Sequence, residues 1–148
     1  MTDTRYDSDF YAWTQAQATA LRDKDWAALD VGNIAEEIDS LGRSDRRAIT
    51  HQLERLLTHL LKWAYQPQQR PRYGRSWRRS LHQARTAIGD LIEESPSLQD
   101  YPAQRMAVAY RRALRLAAID TGLPLAAFPE ACPWSLAQIL DEDFLPEG

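Results

Sequence analysis

Apolar residues recur at helical spacing along most of this 148-residue sequence, and this pattern limits the possible folds more than any other feature. The strongest example lies between Ile49 and Ala64, where apolar side chains return every three or four positions. Such spacing places them on one face of an α-helix, whereas a half-buried strand would alternate strictly. β-branched residues are sparse, while Ala, Leu, Arg, Gln and Glu are plentiful, which also favours helix over strand. The sequence therefore predicts an all-α fold.

The periodic segments predict a bundle of about five helices. Gly42 follows the second segment and Ser44 precedes the third, so we expect one helix to end and another to begin there. The prolines and glycine within residues 66–74 predict a loop, and Ser76 is expected to cap the helix that follows. The five predicted helices cover approximately residues 8–22, 31–41, 45–64, 77–92 and 102–119.

The C-terminal segment breaks this regularity, because prolines follow Gly122 at short intervals. Its apolar residues are too many for a free tail, so we expect an irregular segment that packs back against the bundle. A chain of this length fits one domain, and no linker is long enough to separate two. Residues 1–148 are therefore expected to form a single helical domain, with an ordered core from about residue 6 to 146.

Cysteine content and hydropathy bear on the compartment. Cys132 is the only cysteine, so an intrachain disulfide is ruled out and a reducing environment is favoured. No stretch approaches the ~20 apolar residues of a membrane span, and the N-terminal stretch has no secretory-signal pattern. A cytoplasmic location without membrane association is the expectation.

Charge is distributed unevenly. The segment Arg55–Gly89 contains eight Lys and Arg residues and no Asp or Glu, although the whole chain has a net charge of −3. Within it, arginines alternate with Tyr73 and Trp77, a combination that suits phosphate contacts and base stacking. The alternative is that these cations pair internally with acidic helices. The candidate nucleic-acid or anion patch consists of Arg70, Arg72, Arg75, Arg78 and Arg79.

A second candidate is a polar cluster at the borders of the apolar stripes. Glu37 lies at such a border, where a carboxylate is costly to bury unless a cation or hydrogen-bond donors meet it. It is either a general base or ligand-binding group, or half of a structural ion pair. If His59 lies beside Glu37, the two side chains would form an acid–base pair. Alternatively, His59 is a core histidine whose hydrogen bonds are satisfied. Lys62 and Trp63 neighbour His59, and Arg85 occupies the equivalent border of its own helix.

Known catalytic and cofactor motifs are missing from the sequence. The Glu-x-x-His pairs of di-iron bundles, zinc-like His and Cys spacings, phosphate-binding glycine loops and the G-x-S-x-G elbow are all absent. We therefore expect no metal and no cofactor, and we assign no catalytic residue.

A series of short motifs spans nearly the whole chain, from about Tyr6 to Pro146. They are Asn33-Ile-Ala-Glu-Glu-Ile-Asp-Ser-Leu-Gly42, Leu56-Leu-Thr-His-Leu-Leu-Lys-Trp-Ala-Tyr-Gln-Pro67, Arg75-Ser-Trp77, Gln83-Ala-Arg85, Glu94-Ser-Pro-Ser-Leu98, Thr121-Gly122, Phe128-Pro129 and Cys132-Pro133-Trp134. In this order they resemble a bacterial family known as domain of unknown function 29. The resemblance implies an all-helical fold and no particular activity. The motif positions it implies are Glu36, Glu37, His59, Lys62, Trp63, Gln66, Pro67, Arg75, Trp77 and Arg85.

Three functions are compatible with these features. The absence of catalytic motifs and the apolar C-terminal segment favour a protein-interaction or regulatory module, with another protein as its partner. The first alternative is an enzyme or small-anion binder that uses the polar cluster. The second is nucleic-acid binding through the segment Arg70–Arg79. The oligomeric state is left open.

Overall fold

A computed structural model describes residues 3–147, which form six α-helices and contain no strand. The predicted all-α fold and helical bundle are confirmed. None of the helices in this range combines the length and apolarity needed to cross a membrane. The helices are α1 (Arg5–Ser8), α2 (Phe10–Arg22), α3 (Val31–Tyr65), α4 (Arg70–Glu94), α5 (Tyr101–Thr121) and α6 (Leu136–Leu140).

The chain divides into two compact units, Met1–Ser44 and Asp45–Gly148. The second unit has an extensive apolar core, to which the C-terminal part of α3 contributes five fully buried leucines. Alanines at positions 109, 113 and 117 of α5 are also completely buried, as expected where neighbouring elements approach closely. The five leucines are Leu53, Leu56, Leu57, Leu60 and Leu61.

The irregular C-terminal segment packs against this core, as the sequence predicted. Phe128 and Ile139 are buried in it, and Trp134, Leu136 and Phe144 are partly buried against it. Helix α6 begins with a capping box. The Ser135 side chain accepts a hydrogen bond from the backbone N–H of Gln138, and the Gln138 side chain accepts one from the backbone N–H of Ser135.

The first unit has little apolar core. Trp13, Gln17 and Ala20 of α2 are buried, together with Asp30, which immediately precedes α3. Three hydrogen bonds meet at Oδ2 of Asp30, one of them donated by Trp13 Nε1 at 3.1 Å. Half of the buried side chains in this unit are therefore polar and depend on hydrogen bonds.

Two predicted helix boundaries are wrong. Gly42 does not end a helix, because α3 runs without interruption through Gly42 and Ser44. A helical glycine costs only about 1 kcal/mol relative to alanine, which the flanking residues offset. By contrast, Gly122 adopts a left-handed conformation (φ 74°) and does end α5.

The predicted loop over residues 66–74 is also mostly helix. Only Pro67–Gln69 form a short 3-10 turn, and α4 begins at Arg70. Pro71 stands in the first turn of α4, where its missing N–H has no intrahelical partner to lose. Ser76, expected to cap the helix, is therefore an interior residue of α4.

Candidate functional site

A cavity of about 740 Å³ in the second unit is lined by five arginines, a histidine and part of the C-terminal segment. We call it the arginine groove. Helix α4 supplies all five arginines, and residues 142, 143 and 145 line the groove from the C-terminal segment. Its lining arginines are Arg70, Arg75, Arg78, Arg79 and Arg85.

The exposed part of the groove follows from the helical repeat of α4. Arg75, Arg78, Arg79 and His82 occupy positions i, i+3, i+4 and i+7, which share one face of a helix. All four are exposed, while the opposite stripe of α4 is buried in the core. An amphipathic helix thus presents a row of three arginines and a histidine to solvent.

The arginine at the start of α4 has a structural role. Arg70 donates two hydrogen bonds, of 2.9 and 2.7 Å, to the carbonyl of Trp63 in the last turn of α3. Its guanidinium also lies 4.7 Å from the centroid of the Trp63 ring, a cation–π geometry. Gly74 permits this approach, because a Cβ there would lie 3.2 Å from Trp63 Cζ3.

Arg85 anchors the C-terminal segment at the other end of the groove. It is only 6% exposed and donates hydrogen bonds to the carbonyls of Ile139 (2.8 Å), Phe144 (2.9 Å) and Glu142 (3.4 Å). Burial lowers the pKa of its guanidinium, while the nearby carboxylates, Glu142 first, oppose that shift. The charge is thus met by backbone carbonyls, as a buried cation requires.

The other three arginines of the groove are open. Arg75, Arg78 and Arg79 form no hydrogen bond or ion pair with any residue in the range 3–147. His82 Nδ1 lies 3.3 Å from a carboxylate oxygen of Glu142, and both side chains are exposed. The alternative that the basic segment pairs internally therefore does not describe these three arginines.

The predicted polar cluster is distributed over several environments. Trp63 and Arg85 both line the arginine groove. His59 Nδ1 lies 2.8 Å from the carbonyl of Arg55, and burial lowers the pKa of its imidazole. Lys62 forms a 2.6 Å ion pair with Asp120.

Glu37 belongs to the first unit. There it accepts a hydrogen bond from the hydroxyl of Tyr6, and this bond raises the pKa of Tyr6 to about 12. The partner of Glu37 is thus a phenol from α1. Convergence of Glu37 with His59 and Arg85 stays a prediction.

Sequence reasoning missed the acidic wall of the groove. Glu142 and Asp143 lie about 60 residues after the arginines they face, and no local pattern connects them. Their charge was a usable signal, because an acidic segment near the C-terminus complements a long basic segment. Among the residues described, no group of three His, Cys, Asp or Glu side chains is arranged to hold a metal ion.

The fold and the groove define a class of protein: an all-helical bundle that presents a cationic groove beside an acidic C-terminal segment. Residues 5–145 match the family described as domain of unknown function DUF29, and the chain belongs to that family. No curated protein and no solved structure matches the chain significantly.

Proposed function

We propose that the protein is an interaction module whose arginine groove binds an acidic, partly apolar peptide segment of a partner protein. One observation carries this proposal. Three exposed arginines without an internal partner share a groove with an acidic and apolar segment of the same chain. That segment, Asp141–Leu145, is itself an example of the peptide chemistry that this surface accommodates.

The contacts of the segment support a peptide ligand. Arg85 binds backbone carbonyls, His82 contacts the Glu142 carboxylate, and Leu145 lines the groove beside them. Carbonyls, carboxylates and apolar side chains are the groups that a second acidic peptide would offer to Arg75, Arg78 and Arg79. Arginine pairs with carboxylates in bidentate geometry, which gives such a site orientation as well as affinity.

Nucleic acid is the competing ligand, and two observations weigh against it. Trp77, the larger aromatic side chain of the basic segment, is only 7% exposed and offers no open face for a base. Glu142 and Asp143 also line the groove, and their repulsion would act on every phosphate of a nucleic-acid backbone, whereas a peptide can place its uncharged apolar residues beside them.

The test is a binding titration of the full-length protein with a labelled peptide that repeats the sequence Asp-Glu-Asp-Phe-Leu. The matched control peptide repeats Asn-Gln-Asn-Phe-Leu. We expect saturable binding of the acidic peptide only, weakened by added salt because the contacts are ionic. Replacing Arg75, Arg78 and Arg79 together by Gln should weaken binding at least about tenfold, since three charge-assisted contacts are lost.

The control is a triple variant in which Gln replaces Arg47, Arg111 and Arg115. It makes the same change in net charge at positions outside the groove. These arginines are exposed and outside the groove lining, so the control should bind like the wild type. Equal binding of both peptides, equal loss in both triple variants, or preference for single- or double-stranded DNA over the acidic peptide would overturn the proposal.

A further inference from the structure

A second cavity in the second unit has a different chemistry and lies outside the arginine groove lining. It measures about 390 Å³, within the range of small-molecule sites. The end of α3, the turn after it, the first turns of α4 and the end of α5 all contribute to it. We call it the polar cleft; its lining includes Lys62, Gln66, Gln69, Arg72, Tyr73 and Asp120.

Several polar groups in the cleft have no protein partner. The side chains of Gln66 and Gln69 are half-buried, yet their amides make no hydrogen bond to another residue in the described part of the chain. The Arg72 guanidinium likewise has no carboxylate or carbonyl partner there. These groups are open to solvent, so their donors and acceptors are free to bind water or a molecule that enters the cleft.

The charge of Arg72 favours an anion. Its guanidinium lies over the Tyr73 ring, 5.1 Å from the ring centroid, and its N–H donors make no contact with a carboxylate or carbonyl of the described residues. Lys62 is already paired with Asp120 at 2.6 Å, so Arg72 supplies the unpaired positive charge. A carboxylate or phosphate fits the two parallel donors of a guanidinium.

The same geometry disfavours an aromatic ligand. Tyr73 packs against Trp77 with ring centroids 6.0 Å apart, and the Arg72 guanidinium also lies over the Tyr73 ring. The cleft would therefore recognise a ligand through polar groups more than through stacking on an exposed aromatic ring. The amides of Gln66 and Gln69 and the carboxylate of Asp120 offer both donors and acceptors, which suits hydroxyl groups.

We propose that the polar cleft binds a small hydroxylated anion, such as a sugar acid or a phosphorylated polyol, with Arg72 on the anionic group and the two glutamines on the hydroxyls. This site goes beyond the peptide groove, because Arg72 does not line that groove. Binding at one site does not require occupancy of the other.

The test is calorimetry and amide chemical-shift mapping of the full-length protein with gluconate and glycerol 3-phosphate. Glucose tests a neutral polyol, and inorganic phosphate and acetate test anions without the hydroxyls. We expect at least one hydroxylated anion to bind more tightly than all three comparators, with shift changes at Gln66, Gln69 and Arg72. Arg72→Gln should weaken that binding at least about tenfold because a bidentate ionic contact is lost.

Four variants separate specific loss from misfolding. Arg72 is exposed, so Arg72→Gln should melt like the wild type, and Arg72→Lys should restore only part of the binding because lysine lacks the planar pair of donors. Gln69→Leu should reduce discrimination between gluconate and acetate, whereas the Arg75/Arg78/Arg79 triple variant should keep it. The absence of binding by both hydroxylated anions at millimolar concentration, tighter binding of phosphate or glucose, or undiminished binding by Arg72→Gln overturns the proposal.

Discussion

The two compact units differ in what stabilises them. In the second unit, α3 buries five leucines completely, and the C-terminal segment closes over the same core. In the first unit, Val31, Ile38 and Leu41 of the same helix are 65%, 63% and 70% exposed. Hydrogen bonds connect its elements instead: three meet at the Asp30 carboxylate, and Tyr6 donates another to Glu37.

This difference shows that one helix, α3, can be stabilised by apolar burial in one unit and by hydrogen bonds in the other. Small folding units bury a smaller share of their surface than large ones, so polar contacts carry more of their stability. A leucine core tolerates variation at its periphery, whereas a hydrogen-bond cluster fails when its central acceptor is removed. The proposed binding sites both belong to the unit with the larger core, which provides a rigid base for them.

The largest expected effect is in the leucine core. Leu57→Ala removes a fully buried side chain, and we expect a loss of about 2–5 kcal/mol in the free energy of unfolding because a cavity remains. Urea denaturation followed by circular dichroism measures the loss. Leu125→Ala is the control, since Leu125 is exposed and its truncation should cost less than about 0.5 kcal/mol. Similar costs for both variants would contradict the assignment of this core.

The second effect concerns the first unit. Asp30→Ala removes the acceptor for Trp13 Nε1 (3.1 Å), Asn33 Nδ2 (2.8 Å) and the Asp3 N–H (2.9 Å). Leaving these donors unpaired should cost about 1–3 kcal/mol. Hydrogen exchange should show faster exchange in α2 with protection in α5 retained. The exposed Asp25→Ala variant is the control, and uniform loss of protection in both units would refute the separate stabilisation.

The third effect is a pH dependence confined to the first unit. Hydrogen bonds from Arg5 lower the pKa of Asp3 from 3.8 to about 2, and hydrogen bonding, first from the Asp3 N–H, lowers that of Asp30. A depressed carboxyl pKa gives stability that is fully present above the unfolded value and is lost as the pH falls through the folded value. Protection of α2 amides should therefore decline between about pH 4 and pH 2. Asp3→Asn should remove part of this decline. A pH profile of the variant identical to that of the wild type would contradict the stabilising role of the Asp3 carboxylate.

The smallest effect is at the exposed apolar residues of α3. Ile38→Gln and Leu41→Gln should each change the free energy of unfolding by less than about 0.5 kcal/mol, since neither side chain is buried. Thermal melts of the two variants beside the wild type provide the measurement. A large destabilisation by either variant would show that these side chains are covered in solution, and the contrast between the units would then need revision.

The sequence predicted those parts of the fold that depend on local patterns. Helical spacing identified the long helices, because the buried side of a helix is apolar at regular intervals. The apolar content of the C-terminal segment predicted the packing of Phe128 and Ile139. Sequence reasoning misplaced the boundaries at Gly42 and Pro71, because a glycine is tolerated inside a helix and a proline can begin one as well as break one.

The candidate sites were predicted less completely. Charge alone identified Arg75, Arg78 and Arg79, since an unbalanced basic segment is visible in composition. The hydrogen bonds of Arg85 to the C-terminal segment could not be predicted, because its acceptors are carbonyls 54 to 59 residues away in the sequence. The Tyr6 partner of Glu37 was equally invisible, because contacts between side chains 31 residues apart depend on how the helices pack.

The most direct measurement is amide chemical-shift mapping of the labelled full-length protein during titration with the Asp-Glu-Asp-Phe-Leu repeat peptide. We expect shift changes at Arg75, Arg78, Arg79 and His82, with the amides around Asp30 unchanged. Shift changes that instead follow the exposed apolar residues Val31, Ile38 and Leu41 would contradict this expectation, because the interaction surface would then belong to the first unit.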